Sequence, residues 1–239
     1  MNLFQADHCL ICHKEIDAEI GWQELFMRTE EKVICRECDE SFEELKGALC
    51  IICGRRLQEL DPQFIEGDNC YDCIRWEKDP GWEGVLNRNI SLYAYNGFLQ
   101  ELIARYKYRG DYILAKVFKQ KIKRNIETLK PDFIIPVPLS TERLYERGFN
   151  QAEALIITAG QIPSHLLTRN HSEKQSKKSR KERIHLHKIF NISSSSTFEA
   201  KNILLIDDIY TTGSTLRHAA LPLKQAGAAN VMSLTLARG

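Results

Sequence analysis

The sequence predicts an α/β domain built on a parallel sheet with helices on both faces, preceded by a small cysteine-rich module. Three observations carry this prediction. All eight cysteines lie before residue 74, in four C-x-x-C pairs. From Asn89 onward, short apolar runs alternate with amphipathic helical stretches, the pattern of a doubly wound sheet. The run "NILLIDD" is apolar at consecutive rather than alternate positions, as in a strand covered on both faces.

The pairs are Cys9/Cys12, Cys35/Cys38, Cys50/Cys53 and Cys70/Cys73. In a reducing compartment disulfides are disfavoured, which leaves metal thiolate ligation as the structural use. Zinc takes four soft ligands in a tetrahedron, and each C-x-x-C turn supplies two from one knuckle. The first two pairs are 22 residues apart and the last two 16, spacings that suit a double zinc ribbon. Sequential sites and a cross-braced arrangement use the same eight ligands. With thiolates in every position no coordination place is left for water, so both zincs are expected to be structural.

At 239 residues the chain can hold one sizeable domain and one small one. The boundary is expected at 85/86, giving residues 1–85 and 86–239. Because the later strands draw no ligand from the cysteines, the α/β part is expected to survive truncation near residue 85. A net charge of +1 hides an asymmetry: 10 Lys/Arg against 20 Asp/Glu in residues 1–90, and 23 against 12 afterwards. The basic part suggests an anionic partner. No apolar stretch approaches the ~20 residues that cross a bilayer. Residues 1–10 lack a basic-then-apolar signal pattern, so no membrane insertion and a cytoplasmic location are expected.

Within the α/β part, "NISLYAY" reads as a strand, followed by two helices broken at Gly110. Phe98, Leu99, Leu102 and Ile103 stripe the first; Ile113, Leu114, Val117, Phe118, Ile122 and Ile126 stripe the second. "DFIIPVP" is a strand stopped by prolines, and "NQAEALIITAG" is helical. After "NILLIDD" a helix is expected from Ser214 to about Gln225, with Gly227 as its stop, and "NVMSLTLA" is the last strand. Pro222 predicts a kink or an early end to that helix.

In such sheets ligands bind beyond the carboxyl ends of the strands, where Asp207 and Asp208 stand. The helix that follows begins with unpaired N–H groups suited to a phosphate. Thr211, Thr212, Ser214 and Thr215 add hydroxyls, and Gly213 permits close backbone approach. No G-K-[ST] is present, so this is not a P-loop. In a dinucleotide fingerprint the acid lies about 20 residues after the glycines, whereas here the acids come immediately before the loop. Adjacent carboxylates accept from hydroxyls, so the ligand should carry a vicinal diol close to one phosphate, as ribose 5-phosphate does.

This stretch resembles the ribose-phosphate signature of type I phosphoribosyltransferases: an apolar strand, two acids, two residues, then T-T-G-x-T. Together with "PVPLSTERLYERGFNQAE", "YKYRG" and the C-x-x-C ribbons, the chain resembles the ComF family of competence-associated proteins over nearly its whole length. The resemblance implies a phosphoribosyltransferase-like fold. It implies that Asp207 and Asp208 bind the ribose hydroxyls of phosphoribosyl pyrophosphate (PRPP) and that Thr211, Thr212, Gly213, Ser214 and Thr215 hold its 5-phosphate. The turn Leu139 to Arg143, with Leu139, Ser140 and Arg143, would take the diphosphate. Mg²⁺ would arrive with PRPP, held mainly by the ligand's oxygens and water. A solvated helix face, with Glu142 and Glu146 as partners, is the alternative for Arg143 and Arg147.

Two basic segments remain. Residues 168–198 carry eight Lys/Arg against two Glu and correspond in position to the mobile hood of this fold. In "ARYKYRG", Arg105, Lys107 and Arg109 interleave with tyrosines, a combination suited to single-stranded nucleic acid; the alternative is the solvated face of a helix. The family resemblance implies single-stranded DNA handling, with an ATP-driven DNA translocase of the ComFA type as partner. Two functions follow: a phosphoribosyltransferase with an unknown acceptor, or a non-catalytic PRPP-fold module that docks the translocase.

Overall fold

The computed structural model describes residues 8–16, 32–170, 189–193 and 197–239. Most of the basic hood segment, residues 171–188, and Ser194–Ser196 of its serine run lie outside the described residues. Among those described, no helix is long and apolar enough to cross a membrane.

The cysteine-rich part is nearly all turns. Helix α1 (Arg36–Glu40) follows Cys35 and carries Cys38. A two-residue hairpin, β1 (Ile65–Glu66) and β2 (Asn69–Cys70), turns at Gly67 and delivers Cys70 to the start of α2 (Tyr71–Glu77), which carries Cys73. The later part runs β3 (Arg88–Ala94), α3 (Gly97–Tyr108), α4 (Ala115–Leu129), β4 (Phe133–Pro136), α5 (Thr141–Arg147) and α6 (Gln151–Thr158). It continues with the small hairpin β5 (Leu167–Arg169) and β6 (Phe190–Ile192), then β7 (Asn202–Tyr210), α7 (Ser214–Gln225) and β8 (Asn230–Arg238). The sheet order is β3-β8-β7-β4, and every pairing is parallel.

Local chemistry sets these boundaries. Asn96 caps α3 by accepting from the Leu99 N–H, and the stripe Leu99, Leu102, Ile103 and Tyr106 then turns inward at helical spacing. In α4 the buried stripe is Ala115, Phe118, Ile122 and Ile126, while Ile113, expected in it, is exposed. Pro222 neither ends α7 nor shortens it, because in the last turn its missing N–H costs a single helical bond. The expected diphosphate turn is partly helical: Ser140 caps α5 by accepting from the Arg143 N–H, so Arg143 sits in the first helical turn.

Alternate residues of β7 bury on opposite faces. Leu204 and Ile206 pack with α3, α4 and α6, whereas Ile203 and Leu205 pack with α7. Each cysteine cluster joins one of these cores. Cys9, Cys38 and Phe42 sit with Tyr93 and Phe118 on the first face. Cys50, Cys53, Cys70 and Cys73, with Trp82 and Val85, sit with Leu216 and Leu223 on the second. Among the described residues, the cysteine-rich part thus shares its buried clusters with the sheet and its helices.

Candidate functional site

Strand β4 stops early. Its last pairing is Pro136 with Ile206, whereas β7 and β8 stay paired to Tyr210 and Arg238. Beyond Pro136 the edge of β7 is uncovered, and a cavity of about 280 Å³ opens there. Asp207 and Asp208 both line it. Four cations face them across the same space: Lys107 from the end of α3, Arg143 and Arg147 from α5, and Arg169 from the end of β5. Thr211 and Thr215 bring hydroxyls, and Leu139 and Tyr95 complete the wall.

The carboxylates differ in surroundings. Asp208 is buried and paired with Lys107, Nζ to Oδ2 2.8 Å. Asp207 accepts from the Asp208 backbone N–H at 2.9 Å. Burial, and then repulsion from Asp208, pushes its pKa up to about 7, against the pull of Lys107 and Arg147. Burial, and then the neighbouring charge of Arg143, lowers the Arg169 pKa, with Asp207 opposing. Four cations against two carboxylates leave the cavity with a surplus of positive charge suited to a polyanion.

The loop after β7 is shaped for a small anion. Gly213 has φ +77°, and a Cβ there would strike the Tyr210 hydroxyl and the Arg217 guanidinium. The N-cap residue Gly213 has no side chain to cap α7; the Ser214 N–H donates to the Thr212 hydroxyl at 3.4 Å, and the N–H groups that follow it in the first turn have no capping side chain. Thr212 and Ser214 shape the loop rather than line the cavity. The Thr212 carbonyl accepts from Trp76 Nε1, and the Ser214 hydroxyl is 3.3 Å from His218 Nδ1.

Of the residues expected at a PRPP site, the cavity gathers Asp207, Asp208, Thr211, Thr215, Leu139 and Arg143; Thr212, Gly213, Ser214 and Ser140 support its walls. Sequence reasoning missed Arg169 and Tyr95, which stand in no motif. The solvated-face alternative covers Arg143 and Arg147 alike, and both line the cavity.

The nucleic-acid candidates separate. Arg105 Nη1 donates to the Ile11 carbonyl at 2.6 Å and Nη2 to Asp111 at 3.1 Å, so its guanidinium fastens the first knuckle to α3. Lys107 is committed to Asp208. Both are half-buried on either side of the inward-facing Tyr106, and both have partners that an open DNA surface would not give them. Arg109 is exposed, beside Tyr108, whose ring lies 5.7 Å from the Arg147 guanidinium.

The eight thiols form two groups, Cys9/Cys12/Cys35/Cys38 and Cys50/Cys53/Cys70/Cys73, each with all sulfurs within 4.8 Å of one another. Four sulfurs about 2.3 Å from one zinc stand about 3.8 Å apart; Cys12–Cys35 and Cys53–Cys70 are 3.6 Å apart. Both groups could hold zinc. They fit a double zinc ribbon with sequential sites, which decides against cross-bracing.

No family model matches the chain. Among solved structures it is similar to a purine phosphoribosyltransferase from Pyrococcus horikoshii, with 19% identity and a TM-score of 0.35 over 52% of this chain and 73% of that one. Competence protein ComFC of Streptococcus pneumoniae is 34% identical over 96% of this chain and 99% of its own length. Competence protein ComFC of Bacillus subtilis is 37% identical over 96% of this chain and 94% of its own length. With identity of this order along almost all of both proteins, the chain belongs to the ComF family, as a relative of ComFC.

Proposed function

We propose that the protein binds PRPP in this cavity and acts in the cytoplasm in handling single-stranded DNA during natural transformation. One observation carries the PRPP reading: two carboxylates, a hydroxyl-bearing loop at a helix start and four cations converge on one cavity. The carboxylates suit the ribose diol, the loop suits the 5-phosphate, and Lys107, Arg143, Arg147 and Arg169 suit the diphosphate. Asp207 and Asp208 are too few oxygens for a protein-built Mg²⁺ cage, which fits a cation that comes with the phosphates. When bound, it would neutralise diphosphate charge. The two cysteine groups are read as structural zinc sites.

Turnover on an acceptor would leave pyrophosphate, and the four cations are the groups placed to take up its growing charge. No side chain is assigned as a general base. Pyrophosphate release with candidate bases, against tight binding without release, separates an enzyme from a non-catalytic module.

The competence role rests on the relatives' names. Arg109 and Tyr108 are the exposed pair suited to a DNA strand. Binding to single strands should fall steeply with salt and weaken in Arg109→Ala. A ComFA-type ATP-driven translocase is the proposed protein partner, tested by co-purification of the two.

The deciding test is calorimetric titration with Mg²⁺ and PRPP of the wild type and of the Asp207→Asn/Asp208→Asn double variant. Each charge-assisted hydrogen bond contributes about 1.5–3 kcal/mol, and ~1.4 kcal/mol is one decade. Affinity should fall at least tenfold with the fold and zinc content unchanged. Undiminished binding would overturn the assignment.

A further inference from the structure

The phosphate loop rests on the second cysteine group. Tyr210, the last residue of β7 and the one before the loop, is buried and held at three points. Arg217 Nη1 donates to its hydroxyl at 2.7 Å. Arg238 Nη1 donates to its carbonyl at 3.3 Å, with the guanidinium 5.0 Å from the ring centre.

One of these arginines reaches a thiol directly, and the other reaches the helix that carries one. Arg238 Nη2 donates to Cys53 Sγ at 3.4 Å. A third link comes from α2. Trp76, three residues after Cys73, donates from Nε1 to the Thr212 carbonyl at 3.1 Å, and its ring lies 5.0 Å from the Arg217 guanidinium. Glu77 Oε1 is 3.6 Å from Arg217 Nη2.

Arg217 is fully buried and Arg238 nearly so. Burying a guanidinium is costly unless opposite charge compensates it. Four thiolates around a dication carry two net negative charges, and two guanidiniums carry two positive ones. Groups that hydrogen-bond metal ligands orient them and tune the metal, and they are oriented in return. Here those groups also hold the residue that aims the phosphate loop. The first cysteine group is different. Among the described residues its latch runs through Arg105 to the Leu10 and Ile11 carbonyls, on the α3 side of the sheet.

We infer that metal binding at Cys50, Cys53, Cys70 and Cys73 and phosphate binding at Thr211–Thr215 strengthen each other, with Arg217, Arg238 and Trp76 as positioning residues. The first cysteine group takes no part. This rests on the PRPP reading above. Coupling of this kind is reciprocal: if metal at the second group raises affinity for PRPP, PRPP must raise retention of that metal by the same factor.

The experiment follows zinc release from the full-length protein to a chromophoric chelator, with and without Mg²⁺ and PRPP. Two phases are expected, one from each group. The phase that disappears or accelerates in Cys12→Ser belongs to the first. Saturating PRPP should slow the other phase at least about fivefold, the lower end of typical coupling, and leave the first unchanged. Trp76→Phe keeps a ring but removes the N–H donor; it should retain two zincs while the slowing shrinks. PRPP binding by calorimetry with both phases unchanged, or with both slowed alike, overturns the coupling and leaves the PRPP reading standing. Absence of PRPP binding by the wild type overturns both.

Discussion

Lys107 and Asp208 form an ion pair at 2.8 Å with side chains only 14% and 12% exposed. A surface pair contributes little, but a pair withdrawn from water leaves a buried charge uncompensated when one partner is lost. Lys107→Met should destabilise the protein by about 2–3 kcal/mol, discounted from the fully buried case for the residual exposure. It should also weaken PRPP binding at least tenfold, because the cavity loses one of its cations. Thermal unfolding and calorimetry measure the two effects. Wild-type affinity in this variant would make Lys107 a bystander at the site.

Asp207 supplies a pH test. Its pKa in the folded protein is about 7, raised by burial and by Asp208 from an ordinary value of 3.8. Between those values the native state holds a proton that the unfolded chain has released. The sign is fixed: this group's contribution to stability falls as pH rises from about 4 to about 7, and is flat outside that window. Binding runs the other way, since the ionised carboxylate is the form that accepts from ribose hydroxyls. PRPP affinity should rise with pH up to about 7 and then level off. Asp207→Asn should lose that part of the dependence, which separates it from titration of the ligand's own phosphates. The same pH profile in wild type and variant would rule Asp207 out as its source.

The parts legible in the sequence were those written locally. Four C-x-x-C turns, a consecutive apolar strand and D-D-x-x-T-T-G-x-T each sit within a few residues; the structure groups the thiols four and four, buries the strand on both faces and sets the two acids near its end, before a helix. The rest depends on distant segments. Lys107 meets Asp208 only because α3 ends over the tip of β7. Trp76 and Thr212, 136 residues apart in sequence, meet only through burial of the second cysteine group against α7. Sequential and cross-braced pairing need the same eight thiols, so only spatial grouping could decide between them. A charge count cannot separate Arg105, which is latched to a carbonyl, from Arg109 on the surface.

Arg105 yields a contrast with Arg109. Arg105→Ala removes the donors to the Leu10 and Ile11 carbonyls, beside Cys9 and Cys12. The first cysteine group should then lose zinc faster under mild chelation, while single-stranded DNA binding stays unchanged. Reduced DNA binding with normal zinc retention would restore Arg105 to the nucleic-acid surface.

A fragment of residues 86–239 should not fold to a native state. It loses Phe42, Trp82 and Val85, which are buried against the sheet or its helices. At about 1.5–3 kcal/mol for each large apolar side chain, these three alone approach the 5–15 kcal/mol of an ordinary domain. It also strands Arg217 and Arg238 without the thiols and Glu77. Weak near-UV dichroism and a broad thermal transition are expected. A sharp cooperative transition at the full-length midpoint would show that the sheet is self-sufficient.

Gly213 tests the loop itself. Its φ of +77° costs an alanine about 1–2 kcal/mol, and the new methyl would meet the Tyr210 hydroxyl and the Arg217 guanidinium. Overpacking of this sort adds about 1–3 kcal/mol. Gly213→Ala should therefore destabilise the protein by about 2–5 kcal/mol and abolish measurable PRPP binding, by displacing Thr211 and Thr215 from the cavity wall. Backbone strain and crowding can be told apart. Tyr210→Phe removes one of the groups that the methyl would strike, the hydroxyl, while the Tyr210 ring carbon and the Arg217 guanidinium remain; it relieves part of the crowding and leaves the strain. In a four-protein cycle of denaturant unfolding, the double variant should be less destabilised than the sum of the two single changes, by about 1 kcal/mol or more. Strict additivity would mean that the Tyr210 hydroxyl does not press on the methyl, and the glycine would then be required for its backbone conformation and for the space beside the Arg217 guanidinium.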